Sequence, residues 1–164
     1  MNAGTRLGEV KDVLGAVDIV NLRGQRVWVD ASTMSFAYRK AILPKGIVVG
    51  ERVQLTLSTR EQIESKTKAY LRYRRTTQPL SIPNAGSVFK NPPGDSAGRL
   101  VEAAGLKGVR VGDAEVSTMH ANFIVNRGSA TAAQLLALIR KVRQTVERKF
   151  GVRLQLEWKV IGEA

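Results

Sequence analysis

Between Thr131 and Val160 the spacing of the apolar residues changes once, and that change limits the possible folds more than any other feature. Thr131-Ala132-Ala133-Gln134 is a capping box, in which the threonine hydroxyl accepts from the backbone three residues on and the glutamine reaches back. Behind it Leu135, Leu138, Ile139, Val142 and Val146 recur at helical spacing, which predicts an amphipathic helix with one buried face. Gly151 supplies a left-handed stop. From there Val152, Leu154, Leu156, Trp158 and Val160 alternate with Arg153, Gln155, Glu157 and Lys159, the pattern of a strand with one apolar face. A helix feeding directly into a strand needs both element types around one core, so the expected class is α+β.

The upstream sequence fits that class. Gly15 to Asp30 reads as a hairpin, with Val17, Ile19, Val20 and Leu22 before the turn Arg23-Gly24-Gln25 and Val27-Trp28-Val29 after it. The alternation slips between Ile19 and Val20, where a bulge or an early strand end is expected. A further strand is predicted over Gly46 to Leu57. Ser58-Thr59-Arg60-Glu61 is a second capping box, with Ser58 as N-cap of a basic helix. Pro79 and Pro83 mark a linker. Asp95 to Ala104 reads as a short helix closed by Gly105, with strands around Arg110–Glu115 and Phe123–Asn126.

Composition removes several function classes. Cysteine is absent and His120 is the only histidine, so disulfides, thiolate metal sites and histidine-cluster metal sites are excluded. This fits a reducing compartment. No apolar run approaches the ~18 residues needed to span a bilayer, and the N-terminus lacks the build of a signal peptide; the expected location is the cytoplasm, with no membrane partner. The 164 residues carry 26 Lys+Arg against 14 Asp+Glu, a net charge of +12, which favours anionic partners. Lys66, Lys68, Arg72, Arg74 and Arg75, interleaved with Tyr70 and Tyr73, could serve a non-enzymatic module that binds nucleic acid. They equally describe a solvated helix face. Aromatic content is only 5% and there is no nucleic-acid-binding motif, so nucleic acid is not the expected partner.

The candidate chemistry lies in Asn84-Ala85-Gly86-Ser87-Val88-Phe89-Lys90-Asn91-Pro92, which has neither helical nor strand periodicity. Gly86 permits close approach of a ligand, Ser87 offers a hydroxyl, Lys90 a point charge and Asn91 a bidentate amide. Taken alone, this stretch could also be an ordinary turn before a helix. Ala85 to Pro92, however, resembles the A-G-S-x-F-K-N-P signature of the UDP-N-acetylenolpyruvoylglucosamine reductases. Phe36-Ala37-Tyr38-Arg39 is similar to that family's F-G-Y-R, and Gln78-Pro79-Leu80 to its Q-P-L. Ala114-Glu115-Val116-Ser117, followed by His120-Ala121-Asn122-Phe123-Ile124-Val125-Asn126, resembles its A-E-V-S…H-A-N-F-I-V-N. Glu157-Trp158-Lys159-Val160-Ile161-Gly162 stands where the family has E-V-R-x-I-G. The blocks occur in family order across nearly the whole chain.

The resemblance implies NADPH- and FAD-dependent reduction of UDP-N-acetylglucosamine enolpyruvate to UDP-N-acetylmuramate for peptidoglycan. It implies Ser87 as proton donor, Arg39 as the fork on the substrate carboxylate, and Glu157 as the catalytic glutamate, either protonated beside the anionic intermediate or orienting Arg39 or Ser87 through hydrogen bonds. Tyr38, Gln78, Lys90, Asn91 and His120 would face the substrate, with a structural role for His120 standing beside that one. Gln78 stands where some members have lysine. Phe36 to Ala41 loses the serine that follows the family's F-G-Y-R. Met1-Asn2-Ala3-Gly4…Gly8-Glu9-Val10-Lys11-Asp12-Val13 resembles a mid-chain segment of the family, which makes Asn2, Gly4 and Gly8 cofactor-binding candidates. The Gly-rich loops that precede that segment and hold the FAD pyrophosphate have no counterpart in the sequence. The resemblance therefore implies the C-terminal part of the enzyme, holding FAD weakly or not at all. It divides the chain into part of a flavin-binding α+β domain, residues 1–79 with a returning strand 152–164, and a small α+β substrate-binding domain, residues 80–151.

Overall fold

The structure is a computed structural model that describes residues 1–5 and 7–162. Helices and antiparallel sheets make the chain α+β, in two compact units, Met1–Arg60 and Glu61–Ala164.

The first unit is built of strands, with two short 3-10 turns at Val10–Asp12 and Ala31–Thr33. β1 (Gly4–Thr5) pairs with β2 (Gly8–Glu9). β3 (Leu14–Asn21) is the centre of a three-stranded sheet, flanked by β4 (Arg26–Asp30) and later by β7 (Gly46–Val53). Between them β5 (Ser35–Ala37) and β6 (Lys40–Ile42) form a hairpin whose two turn residues are Tyr38 and Arg39. The β3–β4 hairpin turns where expected: the Asn21 side-chain oxygen accepts from the Arg23 and Gln25 amides, and Gly24 takes a left-handed φ of 77°. The expected slip lies one residue earlier, between Asp18 and Ile19, and only on the β7 side. Ala16, Val17 and Ile19 are buried because β3 has neighbours on both edges. β7 stops at Val53, short of the expected Leu57; Leu55 and Leu57 are exposed.

The second unit packs helices on one face of a four-stranded antiparallel sheet. α1 (Arg60–Thr77) buries none of its residues, consistent with its polar sequence, and starts two residues after Ser58, one later than that residue as N-cap requires. The sheet runs β8 (Asn84–Ser87), β11 (Phe123–Asn126), β10 (Ala114–Val116), β9 (Arg110–Val111), with α2 (Ala97–Ala103) between β8 and β9 in sequence. α3 (Ala132–Phe150) begins at the Thr131 capping box and ends on left-handed Gly151, as expected. It buries Leu138, Ile139, Val142 and Val146 against Leu100 and Val101 of α2 and against Ala114, Val116 and Ile124 of the sheet. Each such side chain contributes about 1.5–3 kcal/mol at most.

The alternating stretch after Gly151 is extended but makes a single bridge, Phe89↔Leu156, instead of the expected full strand. Its partner segment is short. Beyond Lys90 come Asn91, which turns to cap α2, and Pro92-Pro93, which have no N–H to donate. Leu154 is buried in the core of this second unit together with Val88 and Phe89. Compactness thus divides the chain at Arg60/Glu61, and the tail packs with the second unit, whereas the resemblance drew the boundary at 79/80 and returned 152–164 to the first part. No helix among the described residues is long and apolar enough to cross a membrane.

Candidate active site

Ser87 ends β8, half-buried, opposite Phe123 on β11. The entry into β8 is fixed by Asn84. Its side-chain nitrogen donates to the Pro79 and Ile82 carbonyls, and its oxygen accepts from the Gly86 amide. Gly86 sits at φ 78°, a conformation that costs glycine nothing. After Ser87 the chain runs between two supports. On one side the Val88 N–H donates to the Asn122 carbonyl at 2.9 Å. On the other the Glu157 N–H donates to the Val88 carbonyl, and the Lys90 N–H to the Gln155 carbonyl, both at 2.8 Å. The residue after the expected proton donor is therefore joined by a backbone hydrogen bond to the expected catalytic glutamate.

The other substrate-side candidates fall at stated places in this unit. Lys90 is half-buried beside Gln155. Asn91 is exposed, and its side-chain oxygen accepts from the Ala97 amide at the start of α2, so part of its capacity goes to holding that helix. Gln78, half-buried, accepts from Arg74 Nε at 3.4 Å. His120 is half-buried with its ring 4.8 Å from Phe123, and its Nδ1 accepts from the Asn122 N–H at 3.2 Å. Burial holds the His120 pKa below its ordinary value, so the ring is neutral at pH 7.

Arg39, Tyr38, Asn2, Gly4 and Gly8 gather in the first unit. Arg39 has φ 55° at the second turn position of the β5–β6 hairpin, the only non-glycine residue at positive φ among those described. A left-handed arginine costs of order 1 kcal/mol or more, and such outliers cluster at functional sites. Its guanidinium lies 5.2 Å from the centre of the Tyr38 ring. A Cβ on Gly4 would sit 2.6 Å from Arg39 Nη1 and 3.1 Å from Glu9 Cγ, so the bare glycine makes room for the guanidinium. Asn2 is fully buried. It donates to Glu9 Oε2 at 2.9 Å and to the Ala37 carbonyl at 3.4 Å, and accepts from the Lys11 N–H at 3.1 Å. A Cβ on Gly8 would meet Asp12 Oδ2 at 2.7 Å. Lys11 and Asn2 hydrogen-bond the Glu9 carboxylate and lower its pKa.

The spaces at Gly4 and Gly8 are thus filled by the chain's own side chains, and the Asn2 amide is spent on the chain itself. Gly4 and Asn2 brace the Arg39 turn, and the space at Gly8 is taken by Asp12.

Two residues emerge that the sequence reading quoted in a motif but did not single out. Asn122 is 4% exposed; its Oδ1 accepts from the Phe89 N–H at 2.9 Å and its Nδ2 donates to the Phe89 carbonyl at 2.8 Å. Glu115, 6% exposed on β10, is held by Arg110 Nε at 2.6 Å and Arg127 Nη2 at 2.7 Å, and the two guanidinium groups lower its pKa, Arg127 most. A polar residue at a buried strand position is the signal that could have flagged Glu115.

A mixed fold with a serine loop braced against a carboxylate-bearing tail defines a class that comparison makes specific. Residues 78–161 match the family described as UDP-N-acetylenolpyruvoylglucosamine reductase, C-terminal domain. Over 165 residues the chain is 51% identical to the UDP-N-acetylenolpyruvoylglucosamine reductase of Anaeromyxobacter sp. (strain Fw109-5), covering 99% of this chain and 51% of that protein. It is 49% identical to UDP-N-acetylenolpyruvoylglucosamine reductase 2 of Symbiobacterium thermophilum, covering 99% and 53%. The crystal structure of the Thermus caldophilus UDP-N-acetylenolpyruvylglucosamine reductase superposes with a TM-score of 0.85 at 44% identity, over 97% of this chain and 57% of that one. The chain belongs to the UDP-N-acetylenolpyruvoylglucosamine reductase family and spans about half the length of the curated relatives it matches. None of these matches supports the basic nucleic-acid-binding alternative.

Proposed function

We propose that this chain supplies the substrate-side groups for NADPH- and FAD-dependent reduction of UDP-N-acetylglucosamine enolpyruvate to UDP-N-acetylmuramate, in the cytoplasm, for peptidoglycan synthesis. Residues 80–151 form the substrate-binding part, and the tail after Gly151 packs on it. The supporting observation is the hydrogen bond from the Glu157 N–H to the Val88 carbonyl, which ties the carboxylate-bearing tail to the residue after Ser87.

The chemistry follows from the substrate. When a hydride reaches C3 of the enolpyruvyl group, the electron pair of the double bond is left on C2 and spreads into the adjacent carboxylate. That charge needs a fixed cation, and then a proton at C2. Arg39 offers a planar fork matched to a carboxylate, on a turn held at φ 55°. Ser87 gives the proton: a hydroxyl is a very weak acid, but the acceptor is strongly basic and the donor is pre-positioned. Glu157 orients the donor through hydrogen bonds. Lys90 and Gln78 meet the phosphates and Asn91 the nucleotide-sugar amide, and Tyr38 and His120 each face the substrate. No step is assigned to Asn2, Gly4 or Gly8 as flavin ligands.

The test is a hybrid in which this chain replaces the corresponding half of the Anaeromyxobacter relative, followed by stopped-flow absorbance of each half-reaction. Ser87→Ala should slow substrate reduction by about 10²–10⁴-fold while flavin reduction by NADPH proceeds at the unsubstituted rate. Equal loss in both half-reactions would remove Ser87 from the proton-donor role.

A further inference from the structure

Downstream of Ser87 the chain needs a hydrogen-bonding neighbour that β11 does not provide. β8 pairs with β11 as far as Ser87↔Phe123, and the register of that pair is already broken between Phe123 and Val125. At Phe89 the missing neighbour is replaced by one side chain. The Asn122 amide accepts from the Phe89 N–H at 2.9 Å and donates to the Phe89 carbonyl at 2.8 Å, as a peptide group of an adjacent antiparallel strand would. The Asn122 backbone carbonyl takes the Val88 N–H. Both side-chain bonds are buried, where water cannot substitute for them.

The turn that carries Asn122 is itself locked. Ser117, 3% exposed, accepts from the Met119 and His120 amides through its hydroxyl, and His120 Nδ1 accepts from the Asn122 N–H. The opposite edge of Val88–Lys90 is held by Gln155 and Glu157. Asn122 and the tail therefore grip the same three residues from two sides, with Ser87 immediately before the grip and Glu157 part of it.

We propose that Asn122 is a positioning residue for Ser87 and Glu157, a side-chain surrogate strand that fixes the backbone between them. The role rests on the function proposed above; the grip itself does not. The two are separable by experiment.

Amide hydrogen exchange on the intact ¹⁵N-labelled chain reads the grip without substrate. In Asn122→Ala, protection of Phe89 and Val88 should fall about tenfold or more, while Leu138 and Val142 of α3 change far less. Asn122→Asp provides a test that survives poor folding of the alanine variant. An ionised carboxylate can accept from the Phe89 N–H but opposes its carbonyl with a second acceptor. A protonated carboxyl has the shape of the amide and donates through its hydroxyl. Phe89 protection in Asn122→Asp, relative to the unsubstituted chain at each pH, should therefore be low near neutrality and recover on acidification toward the carboxylate range, about pH 4–5. Unchanged Phe89 protection in Asn122→Ala, or a pH-independent ratio in Asn122→Asp, would overturn the grip.

Titration with UDP-N-acetylglucosamine enolpyruvate, followed at the Ser87 and Glu157 amides, reads the role. The unsubstituted chain should show saturable shifts, with affinity about tenfold lower in Asn122→Ala and recovering with Phe89 protection in Asn122→Asp at low pH. No shift at Ser87 in the unsubstituted chain would overturn the functional reading, and the role with it, while leaving the exchange result standing. Shifts at Ser87 that are identical in all three chains would overturn the positioning role alone.

Discussion

Gly4→Ala separates the support of Arg39 from the stability of the fold. Gly4 is not in the left-handed region, so alanine fits its backbone. The difficulty is the new methyl, which would lie 2.6 Å from Arg39 Nη1 and 3.1 Å from Glu9 Cγ. Ordinary contact is about 3.5–4.0 Å, so the guanidinium must swing by about 1 Å. The obstructing atom is the end of a flexible side chain and can move; a side chain driven off its rotamer costs about 0.5–1.5 kcal/mol. Replacing glycine returns about 0.4–1 kcal/mol through the unfolded chain. The net stability change should therefore stay within about 1 kcal/mol. Function is less forgiving, since a misplacement of that size can cost about 10²-fold in rate. The assay is a thermal melt of this chain together with the stopped-flow substrate half-reaction of the hybrid. A melting point near that of the parent with substrate reduction slowed about 10²-fold is the expected pair of results. A parental rate would refute the claim that Gly4 sets the position of a catalytic Arg39.

Other predictions follow from particular contacts. Glu115→Gln exchanges one of two charge-assisted acceptors for a donor facing a guanidinium, and should cost about 1.5–3 kcal/mol by denaturant unfolding, the exposed sides of both arginines limiting the loss. The pH dependence has a definite sign. Glu115 is lowered from its ordinary 4.5, so its contribution is fully present above that value and is lost as the pH falls through the lower folded-state pKa. An acid titration of the parent should therefore lose stability below pH 4.5 more steeply than the same titration of Glu115→Gln. Thr131→Ala removes the hydroxyl that caps Gln134 and should lower stability by about 1 kcal/mol, read from the α3 circular dichroism signal in a thermal melt.

What the sequence made legible was what local chemistry decides. The Thr131–Gln134 box, the 135–146 face, Gly151 and Gly105 all concern neighbours within a turn or two, and they stand in the structure as read. The β3–β4 turn was legible for the same reason. The tail was misread as a full strand because alternation describes only the segment itself. Whether pairing propagates depends on a partner distant in sequence, and Val88–Lys90 ends at two prolines. Asn122 was visible only as a letter in a motif, since its partner Phe89 is 33 residues away. The left-handed Arg39 had no signal at all, because Tyr-Arg is not a turn pair whose composition demands positive φ. That Arg39 reaches Gly4 and Asp12 reaches Gly8 was not legible, because glycine frees space without saying what fills it.

The central claim is that this chain holds the substrate-side groups for a nucleotide sugar. Its most direct test is calorimetric titration of the intact chain with UDP-N-acetylglucosamine enolpyruvate at physiological salt, beside a random oligonucleotide and the Lys90→Ala variant. The account predicts saturable one-to-one binding of the nucleotide sugar, weakened by Lys90→Ala, and little affinity for the oligonucleotide. Absence of nucleotide-sugar binding, with oligonucleotide affinity that falls linearly in log salt, would contradict it.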